Sequence, residues 1–229
     1  DLRMIAVAAT GTDCIDKDCC RERGIVVSNV RGYAIHTVPE HVFALILALR
    51  RNLCAYRDEV RRGVWQAARQ FCFFSHPIDD LHGSNLGIIG EGALGQGVAH
   101  LARAFGMNVM FAAHKGKSGL GPLYTPFDEV LETADVITLH CPLLPETRAL
   151  LGIDEFRRMR RRPVLVNAAR GGLVVEEDLE RALDEGLVAG AAFDVAMPEP
   201  PPADSTIMRL AGRDDFILTP HVAWASGQA

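Results

Sequence analysis

The sequence predicts an α/β fold built on a doubly wound parallel sheet. Apolar residues make up 48% of the 229 positions, enough for a large core. From Asn85 onward, six apolar runs alternate with helix-compatible segments, as parallel strands and their crossover helices do. The motif Gly90-Glu91-Gly92-Ala93-Leu94-Gly95 separates the first run from an amphipathic segment, which is the setting of a dinucleotide-binding (Rossmann) turn. The predicted strands are Leu86–Ile89, Val109–Ala112, Val136–Leu139, Val164–Asn167, Val188–Val195 and Phe216–Thr219.

The residues before Asn85 predict a shorter strand–helix–strand unit and a buried helix. Met4 to Ala9 and Ile25 to Ser28 are apolar runs, and the polar segment between them is compatible with a helix. Thr37 to Arg51 predicts a further helix with Thr37 as its N-cap. Because the body of this helix is almost wholly apolar, we expect it to be buried between domains or subunits.

Residues 52–82 alternate polar clusters with aromatic side chains, a pattern that favours a loop or arm over a core element. We expect a partner subunit to cover this arm, which makes the protein a homodimer. Farther along, Ala93 to Phe105 and Glu176 to Gly186 predict helices, each followed or ended by glycine. The basic cluster from Arg157 to Arg162 predicts the solvated last turn of a helix, with phosphate binding as the alternative.

Charge and cysteine content exclude several functions. The net charge of −5 argues against nucleic-acid binding, and no apolar run is long enough to cross a bilayer. The six cysteines show neither paired metal-ligand spacing nor a disulfide framework, so we expect reduced thiols and no metal site. The N-terminal residues lack a basic leader and a cleavage site. We therefore expect a cytoplasmic protein that binds a small molecule.

The glycine motif has the composition that a pyrophosphate site requires. We expect Gly90 to allow a tight turn, Gly92 to let the backbone approach the pyrophosphate, and Gly95 to let the helix lie close to the strand. The helix that follows would direct free N–H groups and a partial positive charge at the ligand. Glycine-rich turns are common, so the prediction of a bound dinucleotide depends on the strand and helix around this one.

Four polar residues follow predicted strands, at the sheet edge where ligands bind in doubly wound folds. Arg170 follows the fourth strand, Asp194 lies near the end of the fifth, Glu199 comes after it, and His221 ends the sixth. A guanidinium can hold a carboxylate and polarise a carbonyl, while a histidine oriented by a carboxylate can deliver a proton. These groups suit a proton transfer that accompanies a hydride transfer.

Each of these residues also has a structural interpretation. Arg170 could be a surface ion-pair partner, although its small neighbours and Gly171-Gly172 favour access by a ligand. Glu199 could be solvated in its proline-rich turn, and His221 could be an ordinary polar residue. Asp194 could brace a loop or accept a hydrogen bond from a nicotinamide amide.

Several segments in combination carry a resemblance that covers essentially the whole chain. They are Ala6–Gly11, Gly90–Gly95, His140–Leu143, Asn167–Gly172, Phe193–Val195 with Glu199-Pro200, and Thr219–Ser226. Together they resemble the D-isomer-specific 2-hydroxyacid dehydrogenase family. Asn29 to Tyr33 and His221 to Trp224 are similar in particular to the glycerate dehydrogenase (hydroxypyruvate reductase) branch of that family.

The resemblance implies a catalytic set, a substrate site and a cofactor site. Arg170, Glu199 and His221 would carry the chemistry, with His221 as the proton donor poised by Glu199. The backbone around Thr10 and Gly11 would bind the substrate carboxylate. The implied cofactor contacts are Gly90, Gly92, Ala93, Leu94, Gly95, Ala113, His114, Lys115, Cys141, Pro142, Thr147, Ala168, Ala169, Asp194 and Ala223.

The resemblance also implies two domains. Residues 1–34 would be the remnant of an incomplete flavodoxin-like substrate domain, and 35–220 the dinucleotide-binding domain with a dimerisation arm at about 52–82. Residues 221–229 would be the truncated start of a return to the substrate domain. We therefore expect either a fragment of a longer enzyme or a truncated product.

One departure from the family bears on the cofactor. The family has an acidic residue after the second strand of its dinucleotide-binding domain, where it bonds the adenosine ribose hydroxyls. This chain has Ala113 there, followed by His114, Lys115 and Lys117. Losing the carboxylate removes a preference against a 2′-phosphate, and nearby cations attract one. We therefore expect NAD as the cofactor, with NADP also accepted.

The function implied by the resemblance is that of an NAD(P)-dependent oxidoreductase. It would reduce hydroxypyruvate, or a similar small 2-oxo acid, to the D-2-hydroxy acid, D-glycerate. The alternative is a non-catalytic dinucleotide-sensing module, similar to the transcriptional corepressors that share this architecture, or an inactive fragment. The presence of Arg170, Glu199 and His221 favours the enzyme, because a pure binding module does not require them.

Overall fold

The chain folds into two parallel sheets in a computed structural model that describes residues 1–228. The strands are β1 Met4–Val7, β2 Val26–Asn29, β3 Asn85–Ile89, β4 Asn108–Ala112, β5 Tyr124–Thr125, β6 Val136–Leu139, β7 Val164–Asn167, β8 Gly190–Phe193 and β9 Phe216–Leu218. The helices are α1 Lys17–Glu22, α2 Thr37–Arg50, α3 Leu53–Arg61, α4 Val64–Ala68, α5 Ala93–Ala104, α6 Phe127–Thr133, α7 Ile153–Arg158, α8 Glu176–Asp184 and α9 Thr206–Leu210. None of these helices, which are those of the described residues, is long and apolar enough to cross a membrane.

The larger sheet has seven parallel strands in the order β5-β4-β3-β6-β7-β8-β9, and β1 pairs with β2 in the smaller one. Strand β3 pairs with β4 on one side and β6 on the other, so the order reverses at β3. Such a switch point opens a crevice beyond the strand ends, where ligands of doubly wound sheets bind. The predicted fold class and its six strands are confirmed. Strand β5 was not predicted, because two residues are too few to produce a pattern.

The hydrophobic core lies on both faces of the larger sheet. Every residue of β6, β7 and β8 is buried, which explains why these strands are unbroken apolar runs in the sequence. Helices α2 and α5 pack together on one face, and α6 to α9 form the other layer. The carboxyl ends of the strands therefore all open at one edge of a rigid, double-sided core.

Helix α2 is buried against α5 and the larger sheet of its own chain, and its predicted burial between domains or subunits stays a prediction. Val42 and Ile46 have no accessible surface and lie in the core cluster shared with α5. The prediction that Thr37 is the N-cap is wrong, because the helix begins at Thr37 and the capping position is His36, which makes no side-chain capping bond. The Thr37 hydroxyl lies instead 3.3 Å from the hydroxyl of Ser226.

Residues 52–82 contain two short helices, α3 and α4, where the sequence predicted a loop or arm. The segment folds back on itself, because the Asn52 side chain donates a hydrogen bond to the Pro77 carbonyl at 2.6 Å. Phe71 and Phe74 stay exposed, with 91% and 79% of their surface accessible. Coverage of these rings by a second subunit stays a prediction.

The basic cluster around the end of α7 forms ion pairs with the acids of a neighbouring helix. Arg158 pairs with Asp128 of α6 at 2.6 Å, and Arg161 pairs with Asp135 just beyond α6 at 2.7 Å. Arg158 lies in the last turn of α7, where a cation is favourable to the helix dipole. These pairs support the structural interpretation of the cluster over phosphate binding.

Candidate active site

A cleft of about 700 Å³ lies beyond the strand ends, lined both by the loop after β1 and by the loops after β7, β8 and β9. It brings together the five residues predicted for catalysis and substrate binding, which are Thr10, Gly11, Arg170, Glu199 and His221. Four of the predicted cofactor residues also line it. They are Leu94, Ala168, Asp194 and Ala223.

His221 and Glu199 form a direct hydrogen-bonded pair in this cleft. Nδ1 of His221 lies 2.6 Å from Oε2 of Glu199. Because a carboxylate can only accept, Nδ1 carries a proton, and Nε2, which has no partner within residues 1–228, is left to exchange one. The other oxygen of Glu199 accepts from the Ala196 N–H at 3.0 Å, which fixes the carboxylate. The pair therefore has the arrangement of a general acid and its orienting carboxylate.

Arg170 is held between Asp13 and Gly11. Its Nε donates to Oδ2 of Asp13 at 2.6 Å, and Nη1 donates to the Ala169 carbonyl at 2.6 Å. A Cβ on Gly11 would lie 1.8 Å from Nη2, so a larger residue there would displace the guanidinium from this position. Nη2 makes no hydrogen bond to the described part of the chain and remains available to an anionic ligand.

Asp13 is a site residue that the sequence analysis missed. It lines the cleft and orients Arg170 from the loop that follows β1. The criterion that identified Arg170, a polar side chain just after a strand, would also have identified Asp13. It was applied only to the strands after Asn85.

Thr10 supports the substrate loop with its side chain and leaves its backbone N–H unused. Its hydroxyl donates to the Val30 carbonyl at 3.0 Å, and its own carbonyl accepts from the Asn29 side chain at 2.7 Å. The N–H groups of Thr10 and Gly11 have no acceptor among residues 1–228. Two free backbone donors beside Arg170 form a suitable contact for a carboxylate.

Asp194 is almost completely buried, with 1% of its surface accessible, and braces the turn that presents His221. Oδ1 accepts from the Thr219 hydroxyl at 2.5 Å and from the Val222 N–H at 3.0 Å. Oδ2 accepts from the Ala223 N–H at 2.8 Å. These bonds support the loop-bracing alternative, while a nicotinamide contact stays a prediction.

The glycine turn after β3 fits a pyrophosphate. Gly90 has a φ of +111°, in the region that favours glycine, and a Cβ on Gly95 would lie 2.0 Å from the Gly90 carbonyl oxygen. A Cβ on Gly92 would meet nothing within 4 Å, so the turn is open on that side. Gly92 is also the capping position of α5, whose first N–H groups lack helical partners. The three glycines therefore have the geometry that their spacing predicts.

Comparison with known proteins identifies the chain. Residues 43–223 match the family described as D-isomer specific 2-hydroxyacid dehydrogenase, NAD binding domain. The chain belongs to this family. Glycerate dehydrogenase of Methylorubrum extorquens is 49% identical over 229 residues, which cover 100% of this chain and 71% of that protein. Hydroxypyruvate reductase of Blautia hydrogenotrophica is 36% identical, over 98% of this chain and 70% of that protein.

A solved structure supports the same assignment of fold and cofactor class. D-Lactate dehydrogenase from Aquifex aeolicus, complexed with NAD and lactic acid, has a TM-score of 0.86 to this chain. It is 31% identical and the match covers 99% of this chain and 71% of that one. The predictions of a Rossmann fold, an NAD-binding oxidoreductase and a D-2-hydroxyacid dehydrogenase are confirmed.

The remaining cofactor residues predicted for this dehydrogenase lie outside the lining of the cleft. They are Gly90, Gly92, Ala93, Gly95, Ala113, His114, Lys115, Cys141, Pro142, Thr147 and Ala169. Ala113 directly follows β4 and is buried. Lys115 is not the free cation that the sequence suggested, because its ammonium group lies 2.9 Å from Glu155 and donates to the Leu150 carbonyl.

A side chain within the loop after β6, that of Thr147, closes the loop by hydrogen bonds to its backbone. The Thr147 hydroxyl donates to the Pro142 carbonyl at 2.6 Å and accepts from the Leu144 N–H at 2.7 Å. Thr147 therefore shapes the loop, and a direct cofactor contact from its hydroxyl stays a prediction. Burial raises the pKa of the neighbouring Cys141 thiol to about 11, so this side chain is a neutral thiol at neutral pH.

His140 joins β6 to this loop and is poorly solvated. Its Nε2 lies 3.0 Å from the Thr138 hydroxyl, and its buried Nδ1 has no hydrogen-bond partner among residues 1–228. Burial lowers the pKa of His140 to about 4. The sequence left this histidine unassigned, and the structure makes it a neutral packing residue beside the glycine turn.

Replacing His140 by glutamine is expected to make folding less sensitive to acid. With an unfolded pKa of about 6.5, the unfolded chain binds the proton first as pH falls, so stability is lost between about pH 6.5 and pH 4. From about pH 7.5 to pH 5, the unmodified dehydrogenase should lose about 2 kcal/mol more unfolding free energy than His140→Gln. Urea unfolding at both pH values measures this, and equal losses in the two proteins would contradict it.

Proposed function

We propose that the chain reduces hydroxypyruvate, or a similar small 2-oxo acid, to the D-2-hydroxy acid, which for hydroxypyruvate is D-glycerate. The observation that carries this proposal is the convergence of Arg170 with the His221–Glu199 pair in one cleft. Similarity to a glycerate dehydrogenase and to a hydroxypyruvate reductase supports this choice of substrate. The reverse reaction oxidises D-glycerate.

The chain's own residues bind the substrate and move the proton. Nη2 of Arg170 and the free N–H groups of Thr10 and Gly11 hold the substrate carboxylate, and the guanidinium polarises the adjacent carbonyl. Nε2 of His221 delivers a proton to the carbonyl oxygen. Glu199 keeps the imidazole ring in place through Nδ1.

The cofactor site is that of a nicotinamide dinucleotide, which supplies the hydride when it is bound. The turn from Gly90 to Gly95 and the start of α5 would hold its pyrophosphate, because Gly92 leaves the turn open. NAD fits this site. Because Ala113 carries no carboxylate, we propose that NADP is accepted as well.

We also propose a domain organisation, an oligomeric state and a cellular location for the protein. Residues 1–34 and 221–229 would belong to a substrate domain, and 35–220 to the dinucleotide-binding domain. Exposed Phe71 and Phe74 in residues 52–82 support a homodimer formed through that segment. We place the protein in the cytoplasm, because six cysteines without a disulfide framework suit a reducing compartment.

Oxidation of NADH with hydroxypyruvate, glyoxylate and pyruvate as alternative substrates tests the proposed function. We expect the highest kcat/KM with hydroxypyruvate. Titration of NADH in parallel separates binding from turnover. Retained NADH binding without turnover of any of the three acids would favour the dinucleotide-sensing module or an inactive chain.

A further inference from the structure

A second polar cluster lies outside the catalytic cleft, beside Ala113. Glu91, the residue between the first two glycines of the turn, places a carboxylate oxygen 3.9 Å from Nε2 of His114. The His114 ring meets the Tyr124 ring edge-on, with centroids 6.1 Å apart. The cluster therefore joins the turn after β3 to the residues at the ends of β4 and β5.

Glu91 lies over the ends of the strands. Its side chain is 36% accessible, so it is partly shielded from water. Desolvation and the Glu91 carboxylate together raise the pKa of Tyr124, and Glu91 adds to the effect of burial on the Cys141 thiol. Tyr124 is in β5 and Cys141 follows β6, so the charge of the carboxylate acts on residues on both sides of β3.

The position of the Glu91 carboxylate matters because the acidic residue that dinucleotide-binding folds usually place beyond the glycine motif is missing. In dinucleotide-binding folds, an acidic residue about 20 positions beyond the glycine motif accepts hydrogen bonds from the adenosine ribose. Here the residue twenty-three positions after Gly90 is the buried, apolar Ala113. Glu91 reaches His114, the neighbour of Ala113, from the glycine turn after the adjacent strand β3.

We propose that Glu91 replaces the missing acid, so that it binds the ribose hydroxyls of NAD and disfavours the 2′-phosphate of NADP. The inference rests on the proposed use of a nicotinamide dinucleotide. A carboxylate accepts hydrogen bonds from a pair of ribose hydroxyls, whereas it repels a phosphate dianion at the same place. Glu91 is thus the residue that sets the preference between the two cofactors.

The lysines that follow Ala113 limit the preference for NAD over NADP. Lys115 is engaged by Glu155, which removes one cation from the site. Lys117 makes no ion pair within residues 1–228 and is exposed, so it partly offsets the repulsion of a 2′-phosphate. We therefore expect NAD to be favoured and NADP still to bind.

Binding measurements on the full chain test this role of Glu91 without relying on turnover. The dissociation constants of NADH and NADPH are measured from nicotinamide fluorescence for the unmodified chain, E91Q, E91D and E129Q. In E91Q the ratio of the NADPH to the NADH constant should fall by about tenfold, the effect of one charge contact near a protein surface. E91D keeps the charge and should retain most of the preference. If E91Q does not fold by circular dichroism, E91A removes the same charge and serves as the test.

E129Q is the matched control. Glu129 is an exposed carboxylate on α6 whose side chain makes no ion pair in the described part of the chain, so its neutralisation should leave the ratio unchanged. An unchanged ratio in E91Q, with NADH binding retained, would overturn the role of Glu91 and leave the proposed function intact. Failure of the unmodified chain to bind NADH would overturn both.

Discussion

Replacing His221 by alanine is expected to lower kcat for hydroxypyruvate reduction by at least about 100-fold while NADH binding stays unchanged. Loss of a positioned general acid lowers kcat by about 10²- to 10⁴-fold. The free Nε2 of His221 is the atom that would be lost, and Glu199 cannot replace it because the Ala196 N–H fixes its other oxygen. Rates of NADH oxidation and NADH titrations measure the two quantities separately.

Two further variants make this result specific. His100→Ala removes an exposed histidine of α5 that makes no hydrogen bond to residues 1–228, and it should leave kcat unchanged. Glu199→Gln keeps an acceptor for Nδ1 but removes the negative charge, so kcat should fall less than in His221→Ala. A kcat for His221→Ala within about tenfold of the unmodified value would show that another group delivers the proton.

The larger sheet and the convergence of the candidate catalytic residues were predictable because their signals are local. Strands β6 to β8 are covered on both faces, and this burial requires the unbroken apolar runs that the sequence shows. Arg170, Glu199 and His221 each follow a strand, and the carboxyl ends of parallel strands gather at one edge. The order of strands and polar residues in the sequence therefore predicted that these three side chains converge.

Features that depend on contacts between distant residues were not predictable in this way. The position of Asp13 after a strand was visible in the sequence, but its hydrogen bond to Arg170 joins residues 157 positions apart, and no periodicity reports such a pair. Lys115 was expected to attract a 2′-phosphate, and its ion pair with Glu155 of α7 was not visible in the sequence because the two residues are far apart in the chain. Glu91 lies inside a motif recognised by its glycines, so the direction of its side chain became visible only in the fold.

Replacing Arg170 by alanine is expected to lower kcat/KM for hydroxypyruvate by about 100-fold, because each hydrogen bond to a charged group contributes about 1.5–3 kcal/mol. The variant would also leave the Asp13 carboxylate in the cleft without its cation, where it repels the substrate carboxylate. KM should rise and NADH affinity should stay unchanged. Arg160→Ala is the control, since Arg160 is an exposed ion-pair partner of Glu132 and such pairs contribute little. A change in NADH affinity alone would contradict the role of Arg170.

Asp13→Ala tests whether Asp13 positions the Arg170 guanidinium or competes with the substrate for it. Arg170→Ala cannot answer this question, because it removes the guanidinium altogether. Asp13 occupies Nε, and the Ala169 carbonyl occupies Nη1, so Nη2 is the donor that we propose for the substrate carboxylate. If Asp13 only competed with the substrate for Arg170, its removal would lower KM. We expect KM to rise instead, because a guanidinium released from Nε can rotate away from the two backbone donors of the substrate loop. Asp13 is therefore a positioning residue, and a fall in KM with kcat unchanged would contradict that role.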